Sequence, residues 1–347
     1  MNNSTLDFQK AQSFLLTLFT KAGLNQEKAA AVTNILLEGE LLGHRTHGLH
    51  LVMPYIEHLK KGSMEAHGQY KVLNETQVSQ LWDGKYLPGP WLIEEALITA
   101  TKMADIEGTG TIVIQKCSHI GCLAAYMEKA CINGHMIILA CSDPDNKTVA
   151  PFGGTTGVYS PNPLALGIPT ETQPIIIDVS MSATSNGLIH QMNKNNEDLP
   201  HPWLLTSEGK PSSDASTFFE ESPATILPLG GMDSGYKGFA LGIMIEALTS
   251  ALGGHGRYNE PGRWGASTFL QVINPSKFAG VNYFKREMEH LKEQCLQSKP
   301  IQAGQSVRMP GSRGLELKKS QLENGLSLRE DTYVGLKQLA GEFGLTI

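Results

Sequence analysis

The chain is poor in the features that mark nucleic-acid binders, disulfide scaffolds and membrane proteins. Of its 347 residues, 28 are Lys or Arg against 34 Asp or Glu, a formal charge of −6. No basic run exceeds a pair (Lys60-Lys61, Lys285-Arg286, Lys318-Lys319), which argues against a nucleic-acid partner. The five cysteines (Cys117, Cys122, Cys131, Cys141, Cys295) are an odd number with no CxxC pair. That fits reduced thiols in a cytoplasmic protein better than a disulfide framework. The opening Met1-Asn2-Asn3-Ser4-Thr5-Leu6-Asp7 has neither a basic nor an apolar leader region, so secretion is not expected. The longest apolar runs, such as 136–141 and 175–177, have the length of buried strands rather than membrane spans. A Rossmann phosphate loop is also missing. Gly108-Thr109-Gly110 lacks the third glycine, Gly153-Gly154-Thr155-Thr156-Gly157 has the wrong spacing, and no Walker or GxSxG motif occurs.

The 41% hydrophobic content and the length allow a substantial core in about two domains. Residues 4–43 read as helices, with Ser4 as a cap and Phe8, Ala11, Leu15, Leu18 and Phe19 on one face. Gly23 is the stop and Asn25 the next cap. From about Tyr70 the texture changes. Residues 72–80, 111–114, 136–141, 164–169 and 175–179 read as strands, and 90–103 and 122–133 as helices. Residues 190–235, carrying Pro200, Pro202, Pro211, Pro223 and Pro228, read as an irregular lid or binding loop. Residues 238–252 read as a buried apolar helix, and the last sixty or so as helical, with Phe284, Met288, Leu291 and Cys295 on one stripe. The expected fold is mixed α/β (α+β): a helical domain from 1–70 plus 280–347, and a mixed-sheet domain from 71–279.

Two histidine segments carry the chemistry. The first is Gly43-His44-Arg45-Thr46-His47-Gly48-Leu49-His50, with Pro54-Tyr55 close behind, at or just past a helix end. The second is Cys117-Ser118-His119-Ile120-Gly121-Cys122, between a strand and a helix. Each sets an imidazole, the natural proton carrier near neutral pH, beside a hydroxyl and a glycine. His44, His47 and His50 at three-residue spacing would build a metal site on a continuous helix, but Gly43 and Gly48 break it, and no metal is expected. Downstream, Ser142-Asp143-Pro144, Pro151-Phe152-Gly153-Gly154 and Pro161-Asn162-Pro163 are turn chemistry. Asp178-Val179-Ser180 puts a carboxylate at a strand end, suited to a ribose or carboxamide. Lys237, read as lying at the start of the apolar helix Gly235-Tyr236-Lys237-Gly238, opposes the helix dipole and would be relieved by a bound anion.

Together these motifs resemble, in order and spacing almost end to end, the malate/L-lactate dehydrogenase-type oxidoreductases, which use a nicotinamide cofactor without a Rossmann domain. The family pattern of Ser-His-Gly, then arginine, then tyrosine is met by Thr46-His47-Gly48 and Tyr55. The arginine position holds Leu51, which cannot grip a carboxylate. Arg45 or His50 would have to take over, or the substrate differs there. The resemblance implies NAD or NADP held by Ser142, Pro151, Gly153, Asn162, Asp178, Val179, Ser180, Lys237, Gly238, Gly262 and Arg263. It implies catalysis by His47, His119, Thr46 and Tyr55, on a small 2-oxo or 2-hydroxy acid or a cyclic imino acid. His47 is the favoured acid/base with His119 orienting, and the reverse assignment stays open. It further implies a homodimer. Two alternatives are a metal-dependent enzyme using His44, His47 and His50, and a cofactor binder that has lost catalysis.

Overall fold

The computed structural model describes residues 3–302 and 304–347. Met1 and Asn2, the start of the segment read as leader-free, lie outside the described residues, as does Ala303. The chain begins with β1 (Asn3–Leu6), α1 (Phe8–Lys21), α2 (Gln26–Leu41) and α3 (Val52–Lys60). Next come β2 (Lys71–Glu75), β3 (Ser79–Asp83), α4 (Gly89–Glu107), β4 (Thr109–Cys117), α5 (Met127–Ile132), β5 (Met136–Ser142), β6 (Pro163–Ile168) and β7 (Ile175–Ser180). They are followed by α6 (Asn186–Asn195), β8 (Leu204–Leu205), β9 (Pro211–Ser212), β10 (Thr225–Ile226) and α7 (Gly231–Glu246). The chain closes with β11 (Ala266–Ile273), α8 (Val281–Gln297), α9 (Ser312–Asn324), β12 (Leu326–Arg329) and α10 (Glu330–Glu342).

Asp7, not Ser4, caps α1, its carboxylate accepting the Lys10 N–H at 2.9 Å. Ser4 instead lies in β1, which pairs antiparallel with β12 and ties the two ends of the chain together. The alternation that places Leu6, Leu326 and Leu328 inward makes strands there, and buried Phe14, Leu18, Val32 and Leu36 of α1 and α2 join them in one core with Leu336 of α10. Asn25 caps α2 as its sequence predicts.

The central sheet has seven strands in the order β2-β3-β4-β11-β5-β6-β7. Within it β3 and β4 run parallel and every other neighbouring pair is antiparallel. A succession of βαβ units is therefore absent from this sheet, as the missing phosphate loop implied. The single strand expected over 72–80 is a hairpin, because Thr76 turns the chain and its hydroxyl takes the Ser79 N–H at 3.0 Å. On one face Trp91, Leu92, Ala96 and Ala100 of α4 pack on Ile112, Ile114 and Leu270.

Three further expectations change. Residues 190–235 hold most of α6 and the three-stranded β10-β8-β9 sheet rather than one irregular loop, with a small core of Val149, Ile189, Leu204 and Ile226. The apolar helix α7 buries its small residues Gly235, Gly238 and Gly242 and leaves Tyr236, Leu241, Ile243 and Met244 exposed. Because α7 starts at Gly231, Lys237 sits in its second turn, where the dipole argument has little force. Helix α8 lies along the sheet, its Phe284 and Met288 facing Met136 and Ile273 across an apolar cavity of about 420 Å³. No helix among the described residues is long and apolar enough to cross a membrane.

Candidate active site

A cleft of about 330 Å³ opens where the end of α2 meets the C-terminal ends of β4, β5 and β7. Both histidine segments reach it. After α2 the chain turns tightly, the His44 N–H bonding Gly39 O at 2.9 Å and the His47 N–H bonding His44 O at 2.8 Å. Glycine at position 39 is required for this approach, since a Cβ there would lie 2.8 Å from His47 O. Glu40 accepts the Leu49 N–H at 2.9 Å and anchors the far side of the turn; burial pushes its carboxyl up to about 7. The fold thus brings His47 and His119 into stacked contact, ring centroids 5.8 Å apart.

The state of His119 follows from its neighbours. The Gly121 N–H points at its Nδ1 at 3.2 Å, and the Tyr55 hydroxyl lies 2.9 Å from that nitrogen and from His119 O. A backbone N–H only donates, so Nδ1 is the acceptor and the neutral ring carries its proton on Nε2. Burial, with the nearby His47 and His58 rings adding to it, holds the His119 pKa down at about 3. The ring is therefore a neutral donor, stacked on Trp264 at 4.6 Å between centroids. His47 differs: Thr46 Oγ1 lies 2.9 Å from its Nδ1, burial lowers its pKa, and the Asp178 carboxylate acts in the opposite sense. Tyr55 is kept a protonated phenol by burial.

Of the residues read from sequence, Thr46, His47, His119, Ser142, Asn162, Asp178 and Ser180 line this cleft, and Tyr55 reaches it through His119. Asn162 is engaged internally, its amide spent on Ser160, Gly242 and Glu246. Ser142 joins a buried hydroxyl cluster with Thr249 and Ser250. The rest lie elsewhere. Pro151 and Gly153 line a separate cavity of about 190 Å³, and Val179 and Lys237 are exposed. Gly238 packs on Leu229, Gly262 donates its N–H to Asp145, and Arg263 lies over the Tyr86 ring and bonds Ser63 O.

Leu51 is 8% exposed in the helical core, so the position offers no polar group to the cleft. Neither suggested replacement faces it: Arg45 lines an adjoining cavity, and the surroundings of His50 are Asp331, Arg329 and Lys194. The three-histidine metal arrangement fails with it, because the chain leaves the helix at Leu42 and His50 turns away from the cleft. Among the described residues the ligand atoms that do converge, within 4.8 Å, belong to His44, Cys122 and Asp178. Burial pushes the Cys122 thiol up, and it bonds Asp178 as a thiol.

Several cleft residues were not read as site residues from the sequence. Asp143, its carboxyl raised to about 6 by burial, sits in a loop whose carbonyls are gripped by Arg257. Trp264 and the Ser185-Asn186-Gly187 start of α6 complete the wall. The Ser185 cap, three residues before an accepted N–H, was the one usable signal.

A family model described as malate/L-lactate dehydrogenase matches residues 6–337. The chain belongs to that family. As a malate/L-lactate dehydrogenase family member it is an oxidoreductase. It is 26% identical over 347 residues to the malate/(S)-sulfolactate dehydrogenase of Methanothermus fervidus, covering 98% of each chain. It is likewise 26% identical to a Pseudomonas putida Δ1-pyrroline-2-carboxylate/Δ1-piperideine-2-carboxylate reductase, over 96% of each. Its fold matches the crystal structure of malate dehydrogenase from Entamoeba histolytica with a TM-score of 0.94 at 22% identity, covering 100% of this chain and 99% of that one.

Proposed function

We propose that this family member is an NAD- or NADP-dependent dehydrogenase or reductase of a small 2-oxo or 2-hydroxy acid, or of a cyclic imino acid. The observation that carries the reading is the pair of stacked imidazoles at one cleft, each held by different hydrogen-bond partners. A bound nicotinamide would supply the hydride chemistry at this cleft. His119, fixed as an Nε2–H donor, holds the reacting oxygen or nitrogen and polarises it. His47 takes or gives the proton at its other ring nitrogen, with Thr46 orienting the ring and the Asp178 carboxylate supporting its charged form. A buried Asn186 Oδ1 without a partner is an acceptor suited to a donor group such as a carboxamide, so the cleft fits the cofactor's reactive end. In place of an arginine clamp, the first turn of α6 at Asn186 and Gly187 offers backbone N–H groups to the substrate's acid group.

The same reading takes residues 71–279 as the cofactor unit and the two terminal segments as a helical unit. The exposed Tyr236, Leu241, Ile243 and Met244 of α7 support a homodimer, and the reduced thiols a cytoplasmic protein. Titration with NADH and NADPH, following energy transfer from tryptophan, tests the core of the proposal, followed by turnover on a panel of 2-oxo and imino acids. His47→Asn should lower kcat by about 100-fold or more at unchanged cofactor affinity. Failure of both dinucleotides to bind, or full turnover by the variant, would overturn it. Sedimentation of the purified chain as a monomer would overturn the dimer.

A further inference from the structure

A second cavity, of about 700 Å³, adjoins the reaction cleft, and His44 and Asp178 line both. Three guanidinium groups line the second cavity alone: Arg45, Arg308 and Arg313. Three other arginines near the two cavities or the chain ends have partners. Arg257 pairs with Glu246, Arg329 with Asp331, and Arg263 with Ser63 O and the Tyr86 ring. Among the described residues, Arg45, Arg308 and Arg313 make no ion pair and no hydrogen bond. Asp178, at the junction, is the one carboxylate on the wall, and its Oδ2 already accepts the Ala124 N–H at 2.9 Å.

The wall is built rather than incidental. Gly311, at φ 82°, lies against β7 so closely that a Cβ would be 2.7 Å from that of Ile176. The Ile176 N–H bonds Pro310 O at 3.4 Å, docking the arginine-bearing segment beside Asp178. Helix α9 starts at Ser312 with no side-chain cap and no acidic residue in its first turn, and Arg313 is one of its first residues. A cation at the positive end of a helix calls for an anion. The conflict that sequence reading assigned to Lys237 therefore exists at Arg313.

We propose that Arg45, Arg308 and Arg313 hold the 2′-phosphate of NADP(H) and make this chain select NADPH over NADH. The inference rests on the dinucleotide reading above. A small 2-oxo acid is accommodated by the reaction cleft, whereas the second cavity is twice as large and suits a nucleoside carrying a charge. A phosphate monoester brings close to two negative charges and three free oxygens, which three guanidinium forks match. A pyrophosphate carries one charge per phosphorus and is commonly taken by backbone N–H groups. Selection of NAD uses a carboxylate on the ribose 2′-hydroxyl, and acceptance of NADP an arginine near that position.

The test is equilibrium titration of NADPH, NADH and the competitor 2′,5′-ADP on the wild type, Arg45→Gln and the double variant Arg308→Gln/Arg313→Gln. The wild type should bind NADPH at least about 10-fold more tightly than NADH, and 2′,5′-ADP should displace it. The double variant should lose about 10- to 100-fold in NADPH affinity while NADH changes less than about 3-fold. Equal losses for both dinucleotides would overturn the assignment by placing the shared pyrophosphate on the arginines. Unchanged NADPH affinity would overturn it outright. Tight NADH binding with no preference for NADPH refutes this inference alone; no binding of either dinucleotide refutes the proposed function as well.

Discussion

Acid should destabilise this protein through His119. In the unfolded chain its imidazole takes a proton near the ordinary 6.5, whereas in the folded cleft it resists until about 3. Between those values protons favour the unfolded state. The stabilisation is complete above 6.5 and is lost progressively as the pH falls toward 3. At about pH 4.5 the gap is two pH units, and at roughly 1.4 kcal/mol per unit the loss is about 2–3 kcal/mol. The structural origin is the burial of the ring and the Gly121 N–H aimed at Nδ1, which leaves no room for a second ring proton. His119→Gln keeps a donor and does not titrate. Urea unfolding of wild type and variant, at about pH 7.5 and about pH 4.5, separates the variant's fixed cost from the pH-dependent part. The wild type should lose about 2–3 kcal/mol more than the variant between the two conditions, with His47 contributing the same sign to both. Equal losses would show that His119 titrates normally in the folded protein. The neutral-donor role assigned to it would then fall.

Two further outcomes follow from the same geometry. Tyr55→Phe removes the hydroxyl that lies 2.9 Å from both His119 O and Nδ1. It should cost about 1–2 kcal/mol of stability and lower kcat more than it raises KM, and wild-type kinetics would refute the positioning role of Tyr55. Arg257→Ala abandons Glu246 Oε1 and the carbonyls of Asp143, Pro144 and Asn146. Leaving that carboxylate with only the Asn162 amide, and the loop carbonyls without the guanidinium, should cost about 3 kcal/mol and loosen the cleft wall, read as a lower melting temperature; an unchanged melting temperature would contradict it.

Residue order alone pointed to most of the local elements and to the two imidazoles that meet at the cleft. The Asn25 cap, the buried strand 136–141 and the absence of a phosphate loop all follow from short-range chemistry, and the structure agrees with each. The paired His47 and His119 were legible because each sits beside a glycine and a hydroxyl, a pattern that survives without knowledge of distance. The errors have one cause as well: a pattern within one segment was read without the partner that decides it. Ser4 looks like a cap until β12, which pairs it with Leu328 from the far end of the chain, turns it into a strand. Residues 238–252 look buried because they are apolar, yet only one face of α7 meets the protein.

What the tertiary structure decided is which groups share a space. It gave His119 a fixed proton position, through an N–H of its own turn and a hydroxyl from α3. It drew Asp143, Trp264 and the start of α6 to the cleft, from parts of the chain with no common motif. It also moved the unpaired cation at a helix start from Lys237 to Arg313, since only the observed start of each helix says which residue feels its dipole. Sequence fixes which chemistry is available. Proton position, charge pairing and cavity sharing depend on distances between residues far apart in the chain, and those come from packing.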